Sequence, residues 1–334
     1  MRALATLVFL AVLGWGAYWW TGATAQQKAL ELWLQDRRAA GWVAQTDSLK
    51  VIGFPNRFDT VIKNLELADP ANDWAWSAPE FWILALSYKP NHIIVAFPGK
   101  QIVSGLNERV SIESELARAS IVFKPETSLA LDRLQLEARS SVFEGATGWR
   151  ATAGEIAAAF FASQTVTDAP AYDLFVRFDN LTPARSWRRQ VDPAGLLPDT
   201  IPLAKLDATL TYDKPWDRFA IEGQNPRLQT IKLRELTFNW GTLELRGAGN
   251  LTIEASGFAK GKITLQARNW RKLLEVAQTS GSLAPDIAKN VEKALGLIAG
   301  ISGNPESIEI PLTFKNGKAY IGPVSIGYAP YFGR

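Results

Sequence analysis

The sequence predicts a mainly β protein: a β-rich α+β chain with a curved, twisted antiparallel sheet, a few covering helices and one N-terminal transmembrane helix. The sheet has room for two lobes. Three observations predict this. Apolar and polar residues alternate along several segments, the period of strands with one greasy and one wet face. Glycines punctuate those segments where a meander would reverse. The opening stretch, "MRALATLVFLAVLGWGAYWW", is apolar apart from Arg2.

That opening comes first in the chain. Ala3 to Trp20 is an uncharged run of about eighteen residues, near the minimum for a membrane-spanning helix. Ala3 and Leu10 lie within it. Trp15 and Trp20, with Tyr18 and Trp19, crowd its far end, where an aromatic belt would sit. Arg2 would stay in the cytoplasm by the positive-inside rule, which sends the rest outward. A cleaved signal peptide is the alternative, since Ala23-Thr24-Ala25 is an acceptable small-x-small site. The length of the run and the bulky tryptophans favour the retained anchor. Residues 1–25 are thus read as anchor or signal, 26–169 as an N-terminal β-rich half and 170–334 as a C-terminal β-rich half with two helices.

After the anchor, Leu30, Trp33, Leu34 and Arg37 fall at helical spacing, with Gly41 as a stop. The chain then reads as strand. "VIGFPNRFD" raises a choice between a catalytic loop and a bend. Gly53 permits unusual backbone geometry, Pro55 fixes its own φ, and Arg57 can pair with Asp59. Phe54 and Phe58 would anchor the turn in the core. The bend is the simpler reading. Residues 74–103 are strand-like and rich in aromatics.

"YDLFVRFD" alternates, with Tyr172, Leu174, Val176 and Phe178 on one face and Asp173, Arg177 and Asp179 on the other. Phe175 is the exception. Leu206, Leu210 and Tyr212 repeat the pattern with Ala208. These form the candidate apolar sheet face. Residues 231–268 read as a meander. Two helices follow, one with Asn269 as N-cap and Gly281 beyond its end, the other striped by Ile287, Val291, Leu295 and Ile298. Asn316-Gly317 between alternating runs is a hairpin signal.

Composition excludes several chemistries. The 334 residues carry 36 basic and 33 acidic side chains, a balance too mild for a nucleic-acid surface. There is no cysteine, so no thiol nucleophile, disulfide or cysteine metal site. One histidine, His92, leaves triads and histidine-rich metal sites without their usual parts. No phosphate loop, dinucleotide fingerprint, nucleophile elbow or zinc-protease motif occurs. We therefore expect no enzyme, no cofactor and no metal. Asp69, Asp73 and Glu80 could imitate a carboxylate pair, and Arg185, Arg188 and Arg189 could meet a phosphate or lipid headgroup. A solvated charged turn is the plainer account of those arginines.

Several motifs together carry a resemblance: "GFPNRFD", "YKPNHIIVAFPGKQ", "LDATLTYDKPWDR", "FNWGTLELRGAGNLTIEASGFAKGKITLQARNWRKLL" and "IPLTFKNGKAYIGPVSIGYAP". With the anchor they make the chain similar to the domain-of-unknown-function family 2125, uncharacterised proteins of Gram-negative bacteria that begin with a membrane-inserted segment. The family has no assigned catalytic residues to carry over. More loosely, Gly261, Ile263, Leu265, Ala267 and Asn269, then Gly317, Gly322 and Pro323, resemble a pattern of AsmA-like envelope proteins. Those are anchored on the inner membrane, and several are linked to lipid transport. Leading members are far longer, and the exported residues here are too few to bridge the periplasm alone.

The resemblance implies a single-pass inner-membrane protein with its body in the periplasm, or a periplasmic protein after cleavage. Expected partners are the inner membrane, lipid and other envelope proteins. The function expected is non-enzymatic: binding or shuttling lipid, or supporting envelope assembly. A scaffold with a fully packed sheet is the second reading, and a hydrolase of envelope glycans or lipids using Asp or Glu the third.

Overall fold

The computed structural model describes residues 1–222, 225–283, 288–289, 291–293, 295–296, 299 and 306–333. It is mainly β, with antiparallel pairing throughout its described strands. The chain forms two compact units. One holds Met1–Pro125 and Leu134–Gly148, the other Glu126–Arg133 and Trp149–Arg334.

The first unit begins with α1 (Arg2–Ala39), a single uninterrupted helix. Its 38 residues span about 57 Å at the α-helical rise. The separate second helix expected after the anchor is instead its continuation: no proline interrupts the run, Gly14, Gly16 and Gly22 stay helical, and Gly41, with φ of +87°, follows its end. The strands β1 (Val43–Gln45), β2 (Ser48–Ile52), β3 (Asp59–Asp69), β4 (Trp74–Leu86) and β5 (Lys89–Ala96) follow. Then come β6 (Gln101–Ser104), β7 (Arg109–Glu113), β8 (Leu116–Phe123) and β9 (Leu131–Gly145), the last beginning in the second unit. β3 takes β1 and β2 in succession along one edge and β4 along the other. β4 in turn pairs with β5 through one half and β6 through the other. The helix packs on this sheet through Leu34, buried with Ala44, Leu49, Ile62 and Leu65.

The second unit contains β10 (Arg150–Ala162), β11 (Ala171–Leu181), α2 (Arg185–Val191), β12 (Ile201–Tyr212), α3 (Arg218–Glu222) and β13 (Leu228–Trp240). β14 (Leu243–Ile253), β15 (Ala259–Arg268), α4 (Trp270–Thr279), β16 (Ser307–Lys315), β17 (Lys318–Ile321) and β18 (Val324–Tyr328) complete it. From β10 to β18 each strand pairs with the next, an unbroken antiparallel meander. Strands this regular follow from the alternation, because a one-residue slip would turn every apolar side chain to the wet face. Asn316 and Gly317 join β16 to β17 with φ of 52° and 69°, the positive pair that a tight hairpin turn demands.

Asn269 stands at the N-cap of α4, but in the left-handed region and without capping the helix through its side chain. Its Nδ2 reaches sideways to donate to the carbonyl of Thr242. In the stripe read as a second helix, Ile287 and Ile298 lie outside the described residues. Leu295 and Ala299 are buried with Ala267, Trp270, Ile308 and Ile310, and Val291 and Leu274 pack against them. This is the dry core of the second unit. A further cluster joins Leu251, Ala259, Phe314, Ala319 and Ala329.

Candidate functional site

Register shows which side chains share a face. Tyr172 stands opposite Leu210, Leu174 opposite Ala208, Val176 opposite Leu206 and Phe178 opposite Ala204. On the other side of β11 the same residues meet Ala162, Phe160, Ala158 and Ile156. On β13, Leu206 faces Leu236 and Ala204 faces Phe238. The sequence-selected residues therefore line up as one apolar stripe across β10 to β13. Tyr172 is buried, while Leu174, Val176, Phe178, Leu206, Leu210 and Tyr212 are only half-buried. Among the described residues, none of the clusters of buried apolar side chains takes in Leu174, Val176, Phe178, Leu206 or Leu210.

One end of the stripe is aromatic. The ring of Tyr172 stacks on Phe160 at 4.8 Å and meets Tyr212 edge-on at 6.0 Å, and Tyr212 meets Trp216 at 5.7 Å. The backbone N–H of Trp216 donates to the Tyr172 hydroxyl at 2.9 Å. Burial pushes the pKa of both tyrosines up, so both hydroxyls stay protonated.

The reverse face carries charge, and here sequence reasoning missed an arrangement. At β13 the ladder is out of step: Asp207 pairs with Glu235 and Ala208 with Leu233, leaving Arg234 as an extra residue. This bulge turns Arg234 onto the polar face. Its guanidinium donates to Asp207, to Asp173 at 2.5 Å and to Thr209 at 2.6 Å. Thr209 also donates to Asp173 at 2.7 Å. Asp173 is buried, which works to raise its pKa, but the bonds from Thr209 and Arg234 outweigh burial and hold it low. Beside it Lys205 reaches Glu235 at 2.6 Å and stands over Phe175, 5.9 Å from the ring centre. Phe175 thus departs from the alternation by packing against a lysine. Arg234 thus ties Asp173, Asp207 and Thr209 of two neighbouring strands together as a structural clamp.

The turn at residues 53–59 grips the anchor. Gly53 has φ +105°, and a side chain there would strike Arg57. The Phe54–Pro55 peptide is cis. Arg57 Nε meets Asp59 at 2.6 Å, and the Arg57 amide donates to the Gly53 carbonyl. Trp15 donates its ring N–H to the Pro55 carbonyl at 3.0 Å, Trp19 to that of Arg57 at 2.7 Å, and Tyr18 its hydroxyl to that of Ser87 at 2.7 Å. Phe58 is buried against Gly22, where a methyl would come within 2.6 Å of its ring. Phe54 points outward, 58 % exposed, with its ring edge-on to Trp19, so it does not anchor the turn in the core. Gln26 donates its side-chain amide to the Thr60 hydroxyl at 2.8 Å, and Trp15, Tyr18, Trp19, Gly22 and Gln26 recur at helical spacing, which is why one face of α1 serves the whole dock. Ala3, Leu10 and Trp20 face away, exposed.

The other candidates do not converge. His92 Nε2 shares a hydrogen bond with Ser120 inside the β5–β8 ladder. Asp69 binds the amide of Ala71 and the side chain of Asn72, a local turn, and Glu80 accepts from Trp82. Among the described residues no group of three or more histidine or acidic side chains could hold a metal.

The fold and these sites define a mainly β protein led by one helix long and apolar enough to cross a membrane. The chain belongs to the family described as "Uncharacterized protein conserved in bacteria" (DUF2125), whose sequence model matches residues 19–330. No curated protein and no solved structure matches it.

Proposed function

We propose that this is a non-enzymatic, membrane-anchored envelope protein that binds lipid on the apolar stripe of β10 to β13. The single observation behind this reading is the half-buried state of Leu174, Val176, Phe178, Leu206 and Leu210, which lie in register yet outside the dry clusters. Burying such a side chain is worth about 1.5–3 kcal/mol, so a face left half-covered holds back stabilisation that a ligand can supply. An acyl chain gains about 0.8 kcal/mol per methylene removed from water. A bilayer is equally apolar, so passing a chain between membrane and stripe is nearly neutral, as carriage requires. The AsmA-like resemblance of residues 261–269 and 317–323 points the same way.

The anchor is retained in this reading, with Arg2 inside and the body in the periplasm. Cleavage after Ala25 would remove Trp15, Tyr18, Trp19 and Gly22, the residues that hold the 53–59 turn. Mass spectrometry of the membrane-extracted protein should find residue 2 still attached; a mature chain starting near Gln26 would refute retention.

Lipid extraction from the purified full-length chain tests the main claim. Bound glycerolipid should appear with the wild type and fall away with Leu206→Glu, which places a charge in mid-stripe. Equal lipid on both, or none on the wild type, would overturn it. A scaffold role would instead show protein crosslinks at the body and no lipid.

A further inference from the structure

The stripe ends at a cavity of about 390 Å³ lined by Arg185, Arg188, Arg189, Asp192, Asp199 and Trp240. Trp240 connects the two. It is buried beside Phe238, which stands opposite Ala204, itself opposite Phe178 of the stripe. Trp187 stacks on Trp240 at 5.9 Å, and Trp240 Nε1 donates to the Pro198 carbonyl at 2.7 Å. The loop bearing the arginines is thus fastened to the apolar face.

The charges there are unevenly matched. Both carboxylate oxygens of Asp192 are engaged by its own loop, accepting from the amides of Leu196 at 3.0 Å and Leu197 at 2.7 Å. Asp199 pairs with Arg188. Arg188 is largely covered, yet its Nε is buried without a partner. Among the described residues Arg185 and Arg189 have no acidic partner and are exposed. A buried guanidinium N–H left unpaired is costly, and an anion of tetrahedral oxygens satisfies several such donors at once.

Given that the stripe holds an acyl chain, which is the reading above, we infer that Arg185, Arg188 and Arg189 form a site for a phosphate headgroup. The ligand class is an anionic phospholipid, its chain on the stripe and its phosphate in the arginine cavity. The rings of Trp240 and Phe238 mark the passage from one to the other. The same chemistry would accept free phosphate, and the experiment separates the two.

The full-length protein in detergent is titrated with phosphatidic acid, with diacylglycerol carrying the same chains, and with inorganic phosphate, and binding is read by native mass spectrometry. Arg185→Gln/Arg189→Gln is compared with wild type, since both side chains are exposed and their loss should leave the thermal melt unchanged. Phosphatidic acid should bind the wild type more tightly than diacylglycerol, and the double variant should weaken it roughly tenfold while leaving diacylglycerol unaffected. Equal affinity for the two lipids with no effect of the variant would overturn the headgroup site and leave the stripe intact. Failure of both lipids to bind would overturn the stripe as well. Inorganic phosphate displacing phosphatidic acid at equal concentration would make the cavity a free-anion site and refute the link to the chain. Arg188→Gln, with Asp199→Asn as the control for the lost ion pair, should weaken phosphatidic acid in the first variant only; equal losses would reject a direct role for Arg188.

Discussion

Strands β14 to β16 and strands β11 and β12 are written in the same alternating code, yet they end differently. On β14 to β16 the apolar face meets a helix: Ala267 and Ile308 are at or near zero exposure beneath Trp270 of α4, and the half-buried Leu245, Leu265 and Leu312 pack against that buried cluster. On β11 and β12 the corresponding face stays half-covered. Alternation therefore says which side of a strand is greasy, and only the presence of a helix says whether that side becomes core. The half-covered region keeps its order by other means. Its reverse face is clamped by Arg234, Asp173, Asp207 and Thr209, so those strands do not depend on the stripe alone for stability.

This contrast can be broken at the sealed end first. Trp270→Ala should cost about 3–5 kcal/mol in a denaturant melt, as expected for a large aromatic lost from a dry core. A cost near that of a surface substitution would mean the sealed end is not core at all.

The clamp comes next. Asp173→Asn should destabilise by about 2 kcal/mol, because Arg234 and Thr209 lose a charged acceptor. Its pH dependence has a definite sign. The folded pKa of Asp173 lies below the ordinary aspartate value, so its contribution is fully present above that value, about 3.9, and is lost as pH falls through the folded pKa. Melts of wild type and Asp173→Asn should converge in acid and diverge toward neutral pH. Parallel curves would remove the clamp from the account.

The stripe should be the least sensitive in stability. Val176→Ala is expected to cost about 1 kcal/mol, since part of the side chain is already wet and part of the strand's support lies on the other face. Addition of phosphatidic acid should raise the wild-type melting temperature and raise that of the variant less. A loss as large as that of Trp270→Ala would show the stripe to be ordinary core.

How much of this was legible beforehand follows from the range of each signal. Period-2 alternation is local, so β11, β12, β14 and β15 could be read along with the faces of Tyr172, Leu174, Val176, Phe178, Leu206 and Leu210. The Asn316-Gly317 hairpin is equally local. The Asp173–Arg234 clamp joins residues 61 positions apart through a bulge, and nothing near either residue announces it. Phe54 and Phe58 flank the same turn and look equivalent in sequence. One is buried against Gly22 and the other turned outward, because the helix that sorts them arrives from more than thirty residues away. Asp69 and Glu80 looked like possible acids because spacing does not reveal that each binds its own neighbours. The arginines at 185, 188 and 189 were visible, but their joining to the stripe through Trp240 was not.

A chain without cysteine, and with a stripe fixed in register, allows the central claim to be tested in the membrane itself. A photocrosslinking amino acid is placed at Leu206 on the stripe and, as a control, at Ile308 in the sealed core, in the full-length protein within native membranes. The account predicts a phospholipid adduct from position 206 and only internal protein adducts from position 308. A stripe that yields internal protein adducts alone, identical in kind to those from the core, would contradict it.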